Sequence, residues 1–391
     1  MKPTKHVAVL IETSREFGRG LLRGVSRFYN ENGRWSIYFE QHDLRDPVPA
    51  WLRSWKGDGI LARIINRPMA KRLLETKLPL IDLRGGSRPL GLPPFGPRSD
   101  SICRMAFQHL HELGLHHFAF CGEQRGRFYY DDERRDWFQR IAADHGYDCH
   151  VFAPGGRQAA RTWEEEQRQL GAWLKSLPKP IGIMACHDDQ GQKILDACRR
   201  RGLLVPDEVA VIGVDNDPFL CNLSIPSLSS IDVNTERIGY EAAALLDKLM
   251  RNHTQLTQPV FFDPAEVVAR QSTDVRACPD PEIAAVIRFI SQHACDGITV
   301  TEIERRAALS RSLLNRRFKS IVGRSPKAEI LRVQLATAQR LLLDTDFPIS
   351  DVCQKTGFST PRYFIEVFRK RFGATPRVFR VRHGRHDGLA G

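Results

Sequence analysis

The sequence contains no long apolar run. Nowhere in its 391 residues does a stretch approach the ~20 consecutive apolar residues that a membrane-spanning helix requires. The N-terminus also lacks the apolar segment and small-residue cleavage site of a secretory signal, since a strand-like Val7–Ile11 directly follows the first polar residues. We therefore expect a cytoplasmic protein.

Cysteine motifs are missing as well. The nine cysteines are odd in number, widely scattered and never spaced as Cys-x-x-Cys, so the sequence indicates neither a zinc site nor a disulfide framework. Several of them stand in apolar runs and are expected to fill cores. This usage predicts a reducing compartment and no metal or cofactor.

The signatures of common enzymes are also missing. The chain has no Gly-x-Ser-x-Gly elbow, no phosphate-binding loop and no Gly-x-Gly-x-x-Gly between a strand and a helix, and Gly18-Arg19-Gly20 imitates the last of these poorly. We therefore predict a protein that binds rather than catalyses. An enzyme is the alternative, and a turnover assay would separate the two.

Charge is distributed unevenly along the chain. Residues 281–391 carry 20 Lys and Arg against 10 Asp and Glu, whereas residues 1–280 carry 38 against 36. A basic segment of this kind is typical of a polyanion-binding domain, because Lys and Arg displace the counterions condensed on a phosphate backbone. A basic face that serves only solubility is the alternative.

Short β-branched runs alternate with longer helical patterns over the first 230 residues, which predicts parallel sheets with helices on both faces. The strand candidates are Val7–Ile11, Gly59–Ala62, Pro79–Leu83, His117–Cys121, Ile181–Ala185, Val209–Gly213 and Leu228–Ile231. The helix candidates are Leu21–Asn30, Ser101–Leu113, Arg134–His145, Glu165–Ser176, Gly191–Arg201 and Thr235–Met250. Ligands of such sheets bind beyond the carboxyl ends of the strands, so the residues after each strand are the candidates for function.

Two lobes are expected rather than one sheet. The strand–helix pattern restarts near His117, and a late helix is followed by an extended stretch around Val260–Val268. A polar segment with two prolines then separates this part from a helical one. The predicted boundaries are 1–273 for a two-lobed α/β effector domain, 274–281 for a linker and 282–391 for an all-α domain.

The all-α domain repeats one plan. A short helix, a turn and a second helix occupy about 299–322, and the same order returns at about 349–371. Lys327–Leu343 forms a long amphipathic helix between them. Each second helix has an apolar stripe for a core and polar or Arg side chains in its N-terminal half, as a helix that reads the major groove requires.

This part of the chain resembles the AraC/XylS family of transcription regulators, most clearly over Ala336–Leu342, Ile349–Phe358 and Tyr363–Pro376. The resemblance implies two helix-turn-helix motifs on double-stranded operator DNA. The base-contacting residues that it implies are Ser312, Asn315 and Arg316 in the first motif and Arg362, Tyr363 and Glu366 in the second. Arg369 and Lys370 are expected to meet phosphates, which position a protein without specifying sequence.

The α/β part looks like the periplasmic sugar-binding fold of LacI/GalR effector domains, most clearly at Val209–Asn216. The resemblance implies ligand contacts at the ends of strands. These contacts are Ser14, Arg15 and Phe17 after the first strand, Arg84 after the third, Arg134 on a helix, His187 and Asp188 after the fifth, and Asp215 after the sixth. Carboxylates and Arg bind neighbouring sugar hydroxyls through charge-assisted hydrogen bonds, and an aromatic ring such as that of Phe17 can cover the apolar face of the sugar.

The order of the two domains, together with Leu170–Pro178, Ala265–Thr273 and Ile290–Ile298, resembles the bacterial xylose operon regulators. This resemblance implies a monosaccharide effector, with xylose favoured, and an activator that works as a homodimer and contacts RNA polymerase. Three alternatives stay open: another monosaccharide, a repressor, and a DNA-binding protein whose α/β domain only dimerises.

Overall fold

The computed structural model describes residues 4–33, 35–41, 49–53, 55–64, 66–83, 92–152, 162–274 and 280–383. The chain divides into two compact units, Met1–Ala277 and Cys278–Gly391. The first is a two-lobed α/β unit and the second is helical, so the predicted fold class is confirmed. No helix in the described ranges combines the length and apolar character needed to cross a bilayer.

Regular elements follow one another in the predicted order. Strands β1 to β12 are Lys5–Leu10, Trp35–Phe39, Gly59–Ala62, Leu80–Asp82, Phe95–Pro97, Phe118–Cys121, Cys149–Phe152, Ile181–Ala185, Val209–Val214, Ser229–Asp232, Val260–Phe262 and Glu266–Val268. Helices α1 to α15 are Glu16–Asn32, Arg67–Glu75, Ser99–Glu112, Tyr129–Asp144, Trp163–Ser176, Asp188–Arg201, Pro218–Leu223, Thr235–Asn252, Pro281–His293, Val300–Ala307, Arg311–Val322, Pro326–Asp344, Ile349–Lys355, Pro361–Phe372 and Pro376–His383.

The first lobe is built on a parallel four-stranded sheet with the order β2-β1-β3-β4. Its inner strands are apolar on both faces, as expected of a parallel sheet covered by helices. Helix α8 returns from the second lobe and packs along α1. The two helices approach so closely at Gly24 and Gly239 that a Cβ on either glycine would collide with a carbonyl oxygen of the partner helix.

The second lobe is built on a six-stranded sheet with the order β12-β10-β9-β8-β6-β7, in which only β12 runs antiparallel. The chain crosses between the lobes after β4, after β10 and after β11. A small parallel pair, β5 with β11, lies along these crossings. Because both sheets end their parallel strands toward one crevice, the loops after these strands form the walls of the cleft.

The helical unit contains both predicted helix-turn-helix motifs, α10–α11 and α13–α14, joined by α12. Helix α10 begins with a reciprocal capping box between Thr299 and Glu302, and α14 begins with Pro361 behind the N-cap Thr360. Buried Gln334 on α12 donates to the carbonyl oxygens of Ala294 and Gly357, at 2.9 and 3.3 Å. This side chain therefore joins α12 to the residue that follows α9 and to the turn between α13 and α14.

Candidate effector cleft and nucleic-acid interface

A cavity of about 360 Å³ opens between the lobes of the α/β unit. Its volume lies in the range of small-molecule sites. Five of the predicted ligand contacts line it: Ser14, Arg15, His187, Asp188 and Asp215. Arg134 does not line the cavity but lies behind Asp215, with which it forms an ion pair. Their role as ligand contacts stays a prediction, but the fold brings them together.

A charge pair joins the wall of the cavity, at Asp215, to a buried arginine behind it. Arg134 is 1% exposed, and its Nη2 lies 3.9 Å from Oδ1 of Asp215. The other terminal nitrogen of Arg134 donates to the carbonyl oxygen of Cys186 at the end of β8. Asp215 stands directly after β9 with a φ of +103°, a backbone conformation that costs energy for any residue with a side chain. Backbone strain of this kind clusters at binding and active sites.

Asp188 lies in the same wall, but its oxygens are already engaged. Oδ2 accepts the backbone N–H of Asp217 at 2.6 Å, and Oδ1 accepts the hydroxyl of Ser230 at 2.5 Å. Burial and the neighbouring charge of Asp215 raise the pKa of Asp188 well above its ordinary value. Asp188 therefore holds the turn that carries Asp215, and its role as a ligand contact stays a prediction.

His187 begins α6 and faces the cleft from the end of β8. Its Nδ1 accepts the backbone N–H of Gln190 at 3.2 Å, which leaves the hydrogen of the neutral ring on Nε2, 3.8 Å from Glu123 Oε1. Together with Asp189, these two residues place three potential metal-ligating atoms within 4.8 Å of one another. Glu123 is paired with Arg127 at 2.7 Å and Asp189 with Arg15 at 4.0 Å, so each carboxylate of this group already has an arginine partner within the protein.

The two lobes meet across the mouth of the cavity. From the loop after β1, the Arg15 guanidinium donates to the hydroxyl of Tyr130 at 3.3 Å, and Arg19 donates to Asp217 at 2.8 Å. Neither Tyr130, Arg19 nor Asp217 was identified from the sequence. Only Asp217 could have been found from the sequence, because it follows the strand β9. The pairs Arg15–Tyr130 and Arg19–Asp217 are each more than a hundred residues apart, so they leave no local pattern in the sequence.

Phe17 does not lie where the sequence resemblance placed it. Its ring is fully buried and packs beneath the guanidinium of Arg63, 4.7 Å from the ring centroid. Arg63 in turn pairs with Glu12, and both side chains are buried. Glu12 and Arg63 follow β1 and β3, so the rule that sequence analysis applied to the later strands would have found them. Arg84 lies outside the described residues.

The predicted DNA-contacting side chains stand on the outer faces of α11 and α14. Ser312 and Arg316 are exposed and Asn315 is half-buried on α11. On α14, the exposed residues are Arg362, Tyr363, Glu366, Arg369 and Lys370. The opposite faces are anchored in two separate cores, by Leu314 and Phe318 in α11 and by Phe364 and Phe368 in α14. Each helix is therefore held in a core by its apolar side and presents its polar side outward, as a helix that contacts DNA base edges must do.

Comparison with known proteins gives the same division of the chain. Residues 107–273 match the periplasmic binding protein-like domain, and residues 303–382 match a helix-turn-helix domain. The xylose operon regulatory protein of Escherichia coli strain K12 is 31% identical over 96% of both chains. The protein of the same name from Haemophilus influenzae is also 31% identical, over 96% of this chain and 98% of its own.

A solved structure agrees over the same span. The structure described as the xylose-binding transcription activator xylR superimposes with a TM-score of 0.81 at 28% identity, and the match covers 98% of this chain and 100% of the other. A periplasmic binding protein/LacI regulator from Alkaliphilus metalliredigens matches 69% of this chain with a TM-score of 0.55 at 17% identity, which supports the fold of the α/β unit alone.

Proposed function

We propose that this chain, which belongs to the family of the xylose operon regulatory proteins, binds D-xylose between the lobes of its α/β unit and thereby changes its affinity for operator DNA. The chain is a DNA-binding transcription regulator with a sugar-sensing domain and a helix-turn-helix domain. The proposal concerns the identity of the sugar, the residues that hold it and the outcome of binding.

The observation that carries the proposal is the pair of Asp215, in the wall of the cavity, with the buried Arg134 behind it. A pentose offers adjacent hydroxyls that both donate and accept, so a carboxylate and a guanidinium side by side can hold two of them at once. Arg15 and His187 add donors from opposite walls. The ring of Tyr130, beside Arg15 and Arg134, could cover the apolar face of the sugar instead of Phe17.

Sugar binding is proposed to act by closing the lobes. Contacts from the first lobe, Arg15 and Arg19, already reach the second lobe at Tyr130 and Asp217. A sugar that touches both walls favours the closed state over the open one and shifts the equilibrium by the difference in its affinity for the two. We propose activation of a catabolic operon in the cytoplasm, through a homodimer formed by the α/β units that contacts RNA polymerase.

Titration of the full chain with D-xylose, L-arabinose and D-ribose by calorimetry tests the sensor. We expect D-xylose to bind most tightly, and saturating D-xylose to change the Kd for operator DNA by about 5–150-fold, the usual range of allosteric coupling. Since the operator is not known, duplexes are first selected from a random library with the full chain at fixed salt.

Other outcomes separate the alternatives. Tighter binding of another pentose would replace xylose as the effector, and weaker DNA binding with sugar would indicate release from the operator. Heat from none of the three sugars would contradict the sensor and favour an α/β unit that serves only for dimerisation. Turnover of any pentose would favour an enzyme.

Substitution of Arg362 and of Arg369 with alanine should have different consequences for DNA binding. Arg362 stands in the first turn of α14, where side chains reach base edges, so its loss should cost about 1–3 kcal/mol on the selected operator and relax the preference at one base pair. Arg369 stands in the last turn, at a phosphate-contacting position. Its loss should weaken binding to all duplexes alike. It should also lower by about 1 the magnitude of the slope of log K against log salt concentration.

Fluorescence anisotropy with the selected duplex and a shuffled duplex, over a salt series, measures both effects. Lys248→Ala, at an exposed lysine of the α/β unit, serves as the control for loss of one positive charge. Equal losses on both duplexes for Arg362→Ala would show that Arg362 contacts phosphate and not bases.

A further inference from the structure

The last segment of the α/β unit is tied to the turn that carries Asp215. The half-buried Arg270 stands between β12 and the short 3-10 turn Gln271–Thr273. Its Nη2 donates to Oδ1 of Asn216 at 2.8 Å, and its Nη1 donates to the carbonyl oxygen of Leu228 at 3.0 Å. The Arg270 side chain therefore connects the turn after β9 to the segment that precedes the linker.

The cleft end of this link has little freedom. Asn216 follows Asp215 with a φ of +51°, so both residues are held in the left-handed region. The backbone N–H of Asn216 donates to the hydroxyl of Ser230 at 3.0 Å, and that hydroxyl donates to Asp188 at 2.5 Å. A displacement of the Asp215 backbone is therefore expected to displace Asn216 as well.

The linker end is equally well anchored. The hydroxyl of Ser272 donates to the carbonyl oxygen of Val211 at 2.6 Å and accepts the N–H of Ser229 at 2.8 Å. Thr273 Oγ1 lies 2.7 Å from the hydroxyl of Ser229 and 2.8 Å from His109 Nε2. These contacts attach residues 270–273 to β9, β10 and α3, so the segment follows the strands whose ends form the binding wall.

We propose that Arg270 is a positioning residue that couples the Asp215–Asp217 turn to residues 270–274, and so carries the state of the sugar site toward the DNA-binding unit. The inference rests on the proposed function. Arg270 and Asn216 do not line the cavity, whereas Asp215 does. Loss of the Arg270–Asn216 hydrogen bond should therefore damage the coupling more than the binding of sugar. Proximity alone does not establish such a link, so the test measures coupling directly.

The first test compares Arg270→Met with the wild-type chain. We expect the Kd for D-xylose to change by less than about fivefold, while the effect of D-xylose on DNA affinity falls from about 5–150-fold to less than about twofold. Asn216→Gly removes the same hydrogen bond without straining the left-handed backbone. It should reproduce the loss of coupling, and the double variant should lose no more than either single variant, because the hydrogen bond between Arg270 and Asn216 is the contact that the two side chains share.

Arg199→Met is the matched control. Arg199 is an exposed arginine of the same lobe, paired with Asp196 at the far end of α6. It should leave both the sugar affinity and the coupling unchanged. Full coupling in Arg270→Met, or additive losses in the double variant, would overturn the proposal. If Arg270→Met fails to fold, Arg270→Lys and Asn216→Gly decide the question in the same assay.

The second test needs no sugar and separates this inference from the proposed function. Hydrogen exchange of the unliganded full chain should rise at least about fivefold at residues 214–219 in Arg270→Met, and at residues 270–274 in Asn216→Gly, since loss of a charged hydrogen bond opens both ends of the link. Should D-xylose leave DNA binding of the wild type unaffected, the proposed function fails while the exchange result still stands. Exchange confined to the site of each substitution would overturn the Arg270 link.

Discussion

Replacement of Asp215 with asparagine is expected to weaken the binding of D-xylose by about 30-fold to a few thousandfold, the equivalent of about 2–5 kcal/mol. We propose the carboxylate as the acceptor of the sugar hydroxyls, and it pairs with the guanidinium of Arg134, which is 1% exposed. Without it, that charge is left buried without its anionic partner. Asparagine keeps the size of the side chain and tolerates a positive φ, so the turn itself should persist.

Calorimetry of the full chain measures this loss, and Asp196→Asn is the matched control, because Asp196 belongs to the same lobe but pairs with an exposed arginine on α6. DNA binding in the absence of sugar should be unchanged in both variants. Binding of D-xylose by Asp215→Asn within about threefold of the wild type, less than ~1 kcal/mol, would contradict a charge-assisted contact at this position.

The regular parts of the fold could be predicted from sequence because their physical signals are local. Buried parallel strands such as Gly59–Ala62 and Ile181–Ala185 are short β-branched or apolar runs between helices, and the structure has both with the predicted bounds. The edge strand β2, Trp35–Phe39, was missed because four of its five side chains are at least partly exposed and the run does not resemble a buried strand. Helix α1 begins at Glu16, well before the predicted Leu21, because Gly18 and Gly20 hide the helical pattern.

The candidate site could be predicted only in part, for a reason of the same kind. Asp215, His187 and Asp188 follow strands, and the topology of a parallel sheet brings such positions together. The contacts that cross the cleft, Arg19 with Asp217 and Arg15 with Tyr130, join residues far apart in the chain. A single sequence carries no trace of such a pairing, so only the three-dimensional fold reveals them.

Replacement of Arg63 with methionine is expected to cost about 3–5 kcal/mol in the free energy of unfolding, because it leaves Glu12 buried without a cation. Glu12 is 0% exposed and Arg63 is 3% exposed, and the two form an ion pair inside the first lobe, just after β1 and β3. Arg63 also lies over the ring of Phe17 and 5.9 Å from that of Tyr130 in the other lobe. Its loss therefore removes a cation–π contact together with the counter-charge.

Urea denaturation followed by tryptophan fluorescence measures the effect, since all six tryptophans of the chain precede residue 174 and so report on the α/β unit alone. The double variant Glu12→Leu/Arg63→Met should recover most of the lost stability, because two apolar side chains of similar size replace a buried pair without leaving a charge unpaired. A matched control is Lys5→Met, at a partly exposed partner of Asp58 on the same lobe, which should cost less than ~1 kcal/mol. If Arg63→Met were no less stable than Lys5→Met, the ion pair of Glu12 with Arg63 would not be the source of stability that its burial predicts.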